Sequence, residues 1–384
     1  MRTWWVDLAE LDDDQQAVIT LPPDGNYLIL GPPGCGKTNL LLLRAKYLYK
    51  KGLHNIAVVV STHTLQKFLT SGSKNYDFPS DRVLTHARWQ TNLLHEYGVQ
   101  IAPPDGYNES RAYLTAQIED LVTSRKIKGR FDAILVDEAQ DYSVDELDLF
   151  KRVSKRMFAV ADSKQQIYRG KATQAQMENV LPNCTQLTFH YRNGLKICQV
   201  ADAIAKDNDD YVPMVDGCKY AEKGQESSVA HGLYGDLDDQ IAAVIERVAS
   251  QTLAYPNEYI GIIAPKREDM LRIADALYDS DLADLCVSQG GGESIEFTPD
   301  KPICICTIHA AKGLEFRATH ILGAEKMKNF SNNKNLAFTA VTRTQTALAI
   351  YYSETLPGFL DQALISLDGE PKDFELTDLF GGGS

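Results

Sequence analysis

Apolar runs punctuate the chain at short intervals, and each is followed by a turn signal and then by a helical pattern. The runs predict strands over 27–30, 56–60, 133–136, 157–160, 186–189, 259–263, 303–307, 319–322 and 347–352. Most are near-continuous rather than alternating, as in parallel strands covered on both faces. Helices are predicted between them, among others over 39–51, 65–71, 111–125 and 195–205. Strands alternating with helices predict an α/β fold with mainly parallel sheets. The break Leu181-Pro182-Asn183 predicts a boundary between a first domain, 1–183, and a second, 184–364. Residues 365–384 read as an acidic tail ending in Gly381-Gly382-Gly383-Ser384. The stretch 288–293, rich in glycine, is expected to be a loop.

Composition narrows this picture. The 384 residues suffice for two domains, each with a core. A net charge of −13 argues against coating nucleic acid by bulk charge, yet leaves room for a local track in a cleft. No apolar run approaches the roughly 18 residues of a membrane span. The N-terminus has no long apolar region, so no membrane partner is expected and a cytoplasmic location is. The seven cysteines include no CxxC and no nearby histidine pairing. They read as reduced thiols, with no structural zinc site expected.

Two strings carry chemistry. Residues 31–38, GPPGCGKT, fit G-x-x-x-x-G-K-[ST] between a predicted strand and a predicted helix. Gly34, Cys35, Gly36, Lys37, Thr38 and Asn39 would cradle the phosphates of ATP, with Lys37 on the β- and γ-phosphates and the Thr38 hydroxyl on Mg²⁺. Residues 134–143, ILVDEAQDYS, end a strand in a charge cluster. A carboxylate at the end of a neighbouring strand would complete the metal site. Asp137 fits that role, and Glu138 would orient or deprotonate the attacking water. Asp141 has no clear task.

The string Asp137-Glu138-Ala139-Gln140-Asp141 resembles motif II of the superfamily 1 helicases, in the branch of UvrD, PcrA and Rep. Further motifs follow in order over residues 11–352. LDDDQQAVI resembles the adenine-reading Q motif, with Gln15. VVVSTHTLQKFL and VLTHARW resemble strand-contacting motifs, and VADSKQQIYRG resembles motif III. FHYRNGLKI, CTIHAAKGLEF and AFTAVTRTQTAL resemble motifs IV, V and VI. The resemblance implies two RecA-like domains with ATP in the cleft between them. It implies that Gln165 senses the γ-phosphate and that Arg192 and Arg343 reach it from the second domain. Tyr191 would stack on adenine, with Gly313 and Glu315 completing the nucleotide site. Thr62, His63, Thr64, Thr85, His86, Tyr168 and His309 would line the nucleic-acid track. The implied activity is an ATPase that moves 3′ to 5′ along single-stranded DNA, more than RNA, as a translocase or helicase. The alternative is an ATP-binding regulatory or assembly subunit, serving a partner protein such as a nuclease.

Three features depart from the family pattern. His63 stands where an aromatic is usual. Tyr168-Arg169 runs straight into Gly170-Lys171, without the stacking aromatic that follows in relatives. The chain has room for only a small first insertion, at about 90–129, and none for the second. That insertion carries Arg125, Lys126, Lys128 and Arg130, a basic turn that would either touch a nucleic-acid backbone or stay a solvated surface turn.

Overall fold

In the computed structural model, residues 8–73, 76–125, 127–162, 165, 167–168, 170–206, 211–221, 226–289, 300–330 and 332–368 are described. Their strands are β1 (Tyr27–Leu30), β2 (Ile56–Val60), β3 (Val83–Thr85), β4 (Ala133–Val136), β5 (Met157–Ala161) and β6 (Asn183–Gln186), then β7 (Ser228–Leu233), β8 (Ile260–Ala264), β9 (Cys286–Gln289), β10 (Ile303–Thr307), β11 (Phe316–Ile321) and β12 (Thr344–Tyr352). They form two six-stranded sheets, ordered β3-β2-β4-β5-β1-β6 and β7-β12-β11-β8-β10-β9. Every pairing is parallel. The α/β class with two parallel sheets is therefore as expected.

Successive side chains along a strand point to opposite faces. In the first sheet, Ile29, Val58, Leu135 and Val160 pack on one side with Leu40, Leu41 and Leu42. Leu28, Val59, Val136 and Ala159 pack on the other with Trp89, Leu93 and Phe150. Burying each large aliphatic side chain contributes about 1.5–3 kcal/mol.

The stretch expected to be an insertion is built into this second layer. Leu94 comes from the helix His86–Glu96, and Leu114, Ile118 and Leu121 from the helix Tyr107–Arg125. Its basic turn leads into the N-terminal end of β4, and Arg130 pairs with Glu96. That is the opposite edge of a parallel sheet from the loops that follow the strands. The turn therefore cannot reach a strand bound at those loops. Lys126 lies outside the described residues, and only the backbone of Arg125 is described.

Differences from the predicted strands concentrate at the sheet edges. β3, β7 and β9 were not predicted, and the run expected over 186–189 is strand β6 at Asn183–Gln186. These four are the edge strands of the two sheets. An edge strand is paired on one side only and needs no continuous apolar run. β6 reads Asn-Cys-Thr-Gln and is largely exposed. Because β6 pairs with β1, the chain leaves the first sheet after Gln186, not at Asn183. Ser288 and Gln289, expected in a loop, belong to β9, while the rest of 288–293 lies outside the described residues. Residues 365–368, expected in the tail, finish the helix Gly358–Asp368, and the remaining tail also lies outside.

Candidate nucleotide cleft and nucleic-acid groove

The phosphate loop runs from the end of β1 into the helix Lys37–Lys50, whose N-cap is Gly36. Gly34 and Gly36 sit at φ 77° and 85°, a left-handed backbone that glycine adopts without strain. Space also requires Gly34, since a Cβ there would lie 2.5 Å from the Cβ of Arg192. The helix aims free N–H groups and a positive dipole end at whatever anion the loop holds. Lys37 Nζ donates to the carbonyls of Gly31 and Pro32 at 2.7 and 2.8 Å, and lies 4.0 Å from Asp162. The Cys35 thiol is buried, and burial pushes its pKa up.

The second carboxylate strand is not next to β1: β5 lies between β1 and β4. The two sites meet because all three strands open on the same edge of the sheet. Thr38 Oγ1 donates to Asp137 Oδ2 at 3.0 Å, and Asp137 Oδ1 accepts from the Glu138 N–H at 2.9 Å. Glu138 is held at φ 51°, a conformation that non-glycine residues rarely take and that functional sites often hold. The Gln140 amide donates to Glu138 Oε2 at 2.5 Å and accepts from the Asp162 N–H at 3.0 Å. It thus ties Glu138 to the end of β5. Burial, and then Glu138, push Asp137 up to about 7. Burial also opposes the charge on Glu138, but Lys312, Lys37 and Arg343 outweigh it and hold that carboxyl low. Two adjacent buried carboxylates are thereby made unequal.

From the second domain, Arg192 pairs with Glu315 at the cleft. Arg343 is buried and donates to the carbonyls of Thr339 and Leu314 at 3.1 and 3.2 Å. Its third bond runs to Gln165 Oε1 at 2.8 Å. Burial, and the nearby Arg192, push its pKa down to about 10, so it keeps its charge at neutral pH. Gln165 Nε2 in turn donates to Asp162 Oδ2 at 3.0 Å. Lys37, Thr38, Asp137, Glu138, Arg192 and Arg343 share one cleft of about 50 Å³, together with Gly34, Gly36, Asn39, Gly313 and Glu315. The Thr38 and Asp137 oxygens are hard donors of the kind Mg²⁺ takes, so the residues present fit that ion.

Two nucleotide residues have other partners here. Gln15 is the N3 residue of a capping box with Asp12, and its Nε2 donates to the Cys35 carbonyl at 3.0 Å. Tyr191 donates its hydroxyl to Asp12, and its N–H donates to the Gly34 carbonyl at 3.0 Å. Both therefore tie the phosphate loop to its flank.

A second, larger space of about 960 Å³ opens between the domains. Thr62, His63, Thr85, His86, Tyr168 and His309 border it. The Tyr168 and His309 rings lie 5.9 Å apart across the domain boundary. Thr62 and Thr85 are spent on capping: their hydroxyls accept from the N–H groups of Leu65 and Arg88, both at 3.2 Å. His63 is exposed, and the side chain of Thr64 is not among those described. His86 corrects the expectation. Its ring is buried between Trp89, Tyr142 and Phe150. Burial pushes its pKa down to about 3, so it stays neutral 3.9 Å from Glu146. The Arg111 fork meets Glu146 at 2.5 and 2.7 Å and donates to the Asp141 carbonyl at 2.9 Å. Burial opposes the Glu146 charge, but that fork holds its carboxyl down at about 2.

Between cleft and groove stands a pair the sequence did not assign. Lys312 Nζ donates to Asp141 Oδ1 at 2.6 Å and to the Gln165 carbonyl at 2.8 Å. Both charged groups are 1% exposed. Asp141, which had no task in the sequence, is thus an anchor for the second domain. Asp162 was also missed, although it ends β5 as Asp137 ends β4. Lys312 stood inside the string that carried His309 and Glu315, and that was the available signal.

Comparison with known proteins finds two family matches. The AAA domain family matches residues 14–171, and the UvrD-like helicase C-terminal domain family matches residues 302–351. Among solved structures, one similar chain is the C-terminal domain of a possible DNA helicase from Lactobacillus plantarum WCFS1. It is 16% identical, over 45% of this chain and 93% of that one, with a TM-score of 0.34. Another is the PRRSV helicase, 16% identical over 89% of this chain and 57% of that one, with a TM-score of 0.40. No curated protein matches. No helix among the described residues is long and apolar enough to cross a membrane.

Proposed function

From the premise of a UvrD-like helicase, which the two family matches support, we propose that this chain is an ATPase that moves along single-stranded DNA. The observation that carries the reading is the bond from Arg343 to Gln165, which spans the two domains beside the phosphate loop. A catalytic arginine held this way makes hydrolysis depend on how the domains sit together. In the bound state Gly34, Cys35, Gly36, Lys37, Thr38 and Asn39 hold the phosphates. Thr38 and Asp137 would hold Mg²⁺, which would supply charge neutralisation to the phosphates. Glu138, kept ionised by three cations, takes the proton of the attacking water. Gln165 and Arg343 respond to the γ-phosphate, and Arg192 leaves Glu315 to join them. Gln15 and Tyr191 frame the base end of the site. Tyr168 and His309 offer stacking surfaces to the strand, which tolerate any base. The resemblance gives the direction as 3′ to 5′.

A second reading has its own support. Thr62, Thr85 and His86 have structural work, so the groove holds fewer free contacts than the motifs imply. In that reading the chain is an ATP-responsive subunit serving a partner such as a nuclease. One assay separates the two. A motor shows ATPase activity raised many-fold by single-stranded DNA, and lost in Lys37→Ala and in Glu138→Gln. Hydrolysis that ignores DNA and RNA but answers to a partner protein would sink the motor reading. Competition between DNA and RNA strands in the same assay settles the track.

A further inference from the structure

Arg343 is a single residue between two elements. Thr342 caps the helix Asn333–Val341, and β12 begins at Thr344. The direction of its side chain therefore depends on how that turn is held. β7 pairs with β12 only from Ala347 onward, so β7 does not hold it. On the β11 side, the Arg343 carbonyl accepts from the Phe316 N–H at 2.8 Å. The rest of the hold comes from the segment that carries the other arginine. Gly194 N–H donates to the Gln345 carbonyl at 2.8 Å. The Asn193 amide donates to the carbonyls of Thr342 and Thr344 at 3.0 and 2.6 Å, one on each side of Arg343.

Asn193 is fully buried and directly follows Arg192, yet the two residues it bonds lie 149 and 151 positions further along the chain. A side-chain amide has two N–H bonds, and both are spent here. Its orientation is fixed by chemistry: turned over, Oδ1 would face two carbonyls with no proton between them. Oδ1 is buried and has no hydrogen-bond partner among the described residues. A buried acceptor left unpaired costs free energy, so an apolar side chain would fill this space with less penalty. What an apolar side chain lacks is the pair of donors. Oδ1 also lies toward the phosphate loop, since a Cβ on Gly34 would stand 3.2 Å from it. The partner of Arg192 belongs to the same frame: Glu315 accepts from the Gln345 amide at 3.4 Å.

We propose that Asn193 is a positioning residue that fuses Arg192 and Arg343 into one unit, so that both arginines reach the γ-phosphate together. This rests on reading the cleft as a site of ATP hydrolysis. Asn193 is not among the residues that line the cleft, so it acts on geometry alone. Fixed charges assist a transition state only while their spacing is right. The bonds to Thr339 and Leu314 hold the guanidinium of Arg343. Asn193 sets where the backbone of that arginine stands relative to Arg192. The sequence concealed this role, because an asparagine between an arginine and a glycine reads as a turn residue.

Steady-state ATP hydrolysis by the full chain tests this. Asn193→Ala should lower kcat about 30-fold, with the KM for ATP changed less than about threefold. In the Arg343→Ala background the same change should cost less than about threefold more, because the arginine it positions is gone. Asn193→Ser, which keeps one donor, should give a smaller loss with the same non-additivity, and it covers an alanine variant that does not fold. Hydrogen exchange reads the brace without hydrolysis. The Phe316 N–H should exchange about tenfold faster in either variant, while the Ile134 N–H, bonded in the first sheet, keeps its rate. The proposal fails if the losses from Asn193→Ala and Arg343→Ala multiply in full. It also fails if KM rises as much as kcat falls, or if Phe316 exchange is unchanged. A wild type that hydrolyses no ATP, with or without nucleic acid, overturns the motor reading instead, and the exchange rates then decide on the brace.

Discussion

The same two domains wall the nucleotide cleft and the strand groove, and the two spaces use their residues differently. In the cleft, Lys37, Asp137, Glu138, Arg192 and Arg343 turn charged side chains into about 50 Å³. In the groove, about 960 Å³ is bordered by threonines that cap helices, by a histidine packed in the core, and by Arg111, Asp141 and Lys171, whose charges are already paired with neighbours. A charged group is costly to bury without a partner, so its position in the chain announces a site. Threonine and histidine have many local uses, so finding them in a motif says less. Specificity of signal therefore follows the desolvation cost of the residue type.

That contrast can be broken, beginning with its strongest side. Arg343→Ala should lower the kcat of ATP hydrolysis by about 10³-fold, with nucleotide affinity changed less than tenfold. A loss shared equally by affinity and kcat would place Arg343 in binding, not in hydrolysis. Next comes the border between the two spaces. Lys312→Met strands Asp141 as an unpaired buried carboxylate and should cost about 3 kcal/mol in urea unfolding. Adding Asp141→Asn should recover most of it, and no recovery would mean that the pair is not the source of the loss. On the groove side, Tyr168→Ala should weaken single-stranded DNA by about 2 kcal/mol, roughly thirtyfold, while ATP hydrolysis without DNA is unchanged. Equal loss in both would dissolve the separation of cleft from groove.

The smallest effect just below neutral pH concerns His86. Its folded pKa of about 3 lies below the ordinary histidine value of 6.5, so between these pH values the unfolded chain holds a proton that the folded chain does not. This share of stability is complete above pH 6.5 and falls by about 1.4 kcal/mol per pH unit as pH drops toward 3. Unfolding titrations should show that slope, and His86→Gln should flatten it. An unchanged slope would return His86 to the exposed track.

The central strands of both sheets were legible because they are apolar on both faces. The four edge strands were not: β6 and β7 are largely exposed and carry polar residues, and β3 and β9, though mostly buried, are only three and four residues long. The phosphate loop and Asp137–Glu138 were legible because few sequences satisfy their spacing by accident. What eluded the sequence was pairing at a distance. Asp141 and Lys312 are 171 residues apart, and nothing local in either string names the other. Gln15 and Tyr191 occupy their motif positions, yet their bonds run to Cys35, Asp12 and Gly34, choices made by packing.

Gly34 and Arg192 meet with no room for one more carbon between them. The domains already meet at Gly34 with Tyr191, at Gln165 with Arg343 and at Asp141 with Lys312. A side chain added at Gly34 would work as a wedge, prising at a seam that these bonds hold shut.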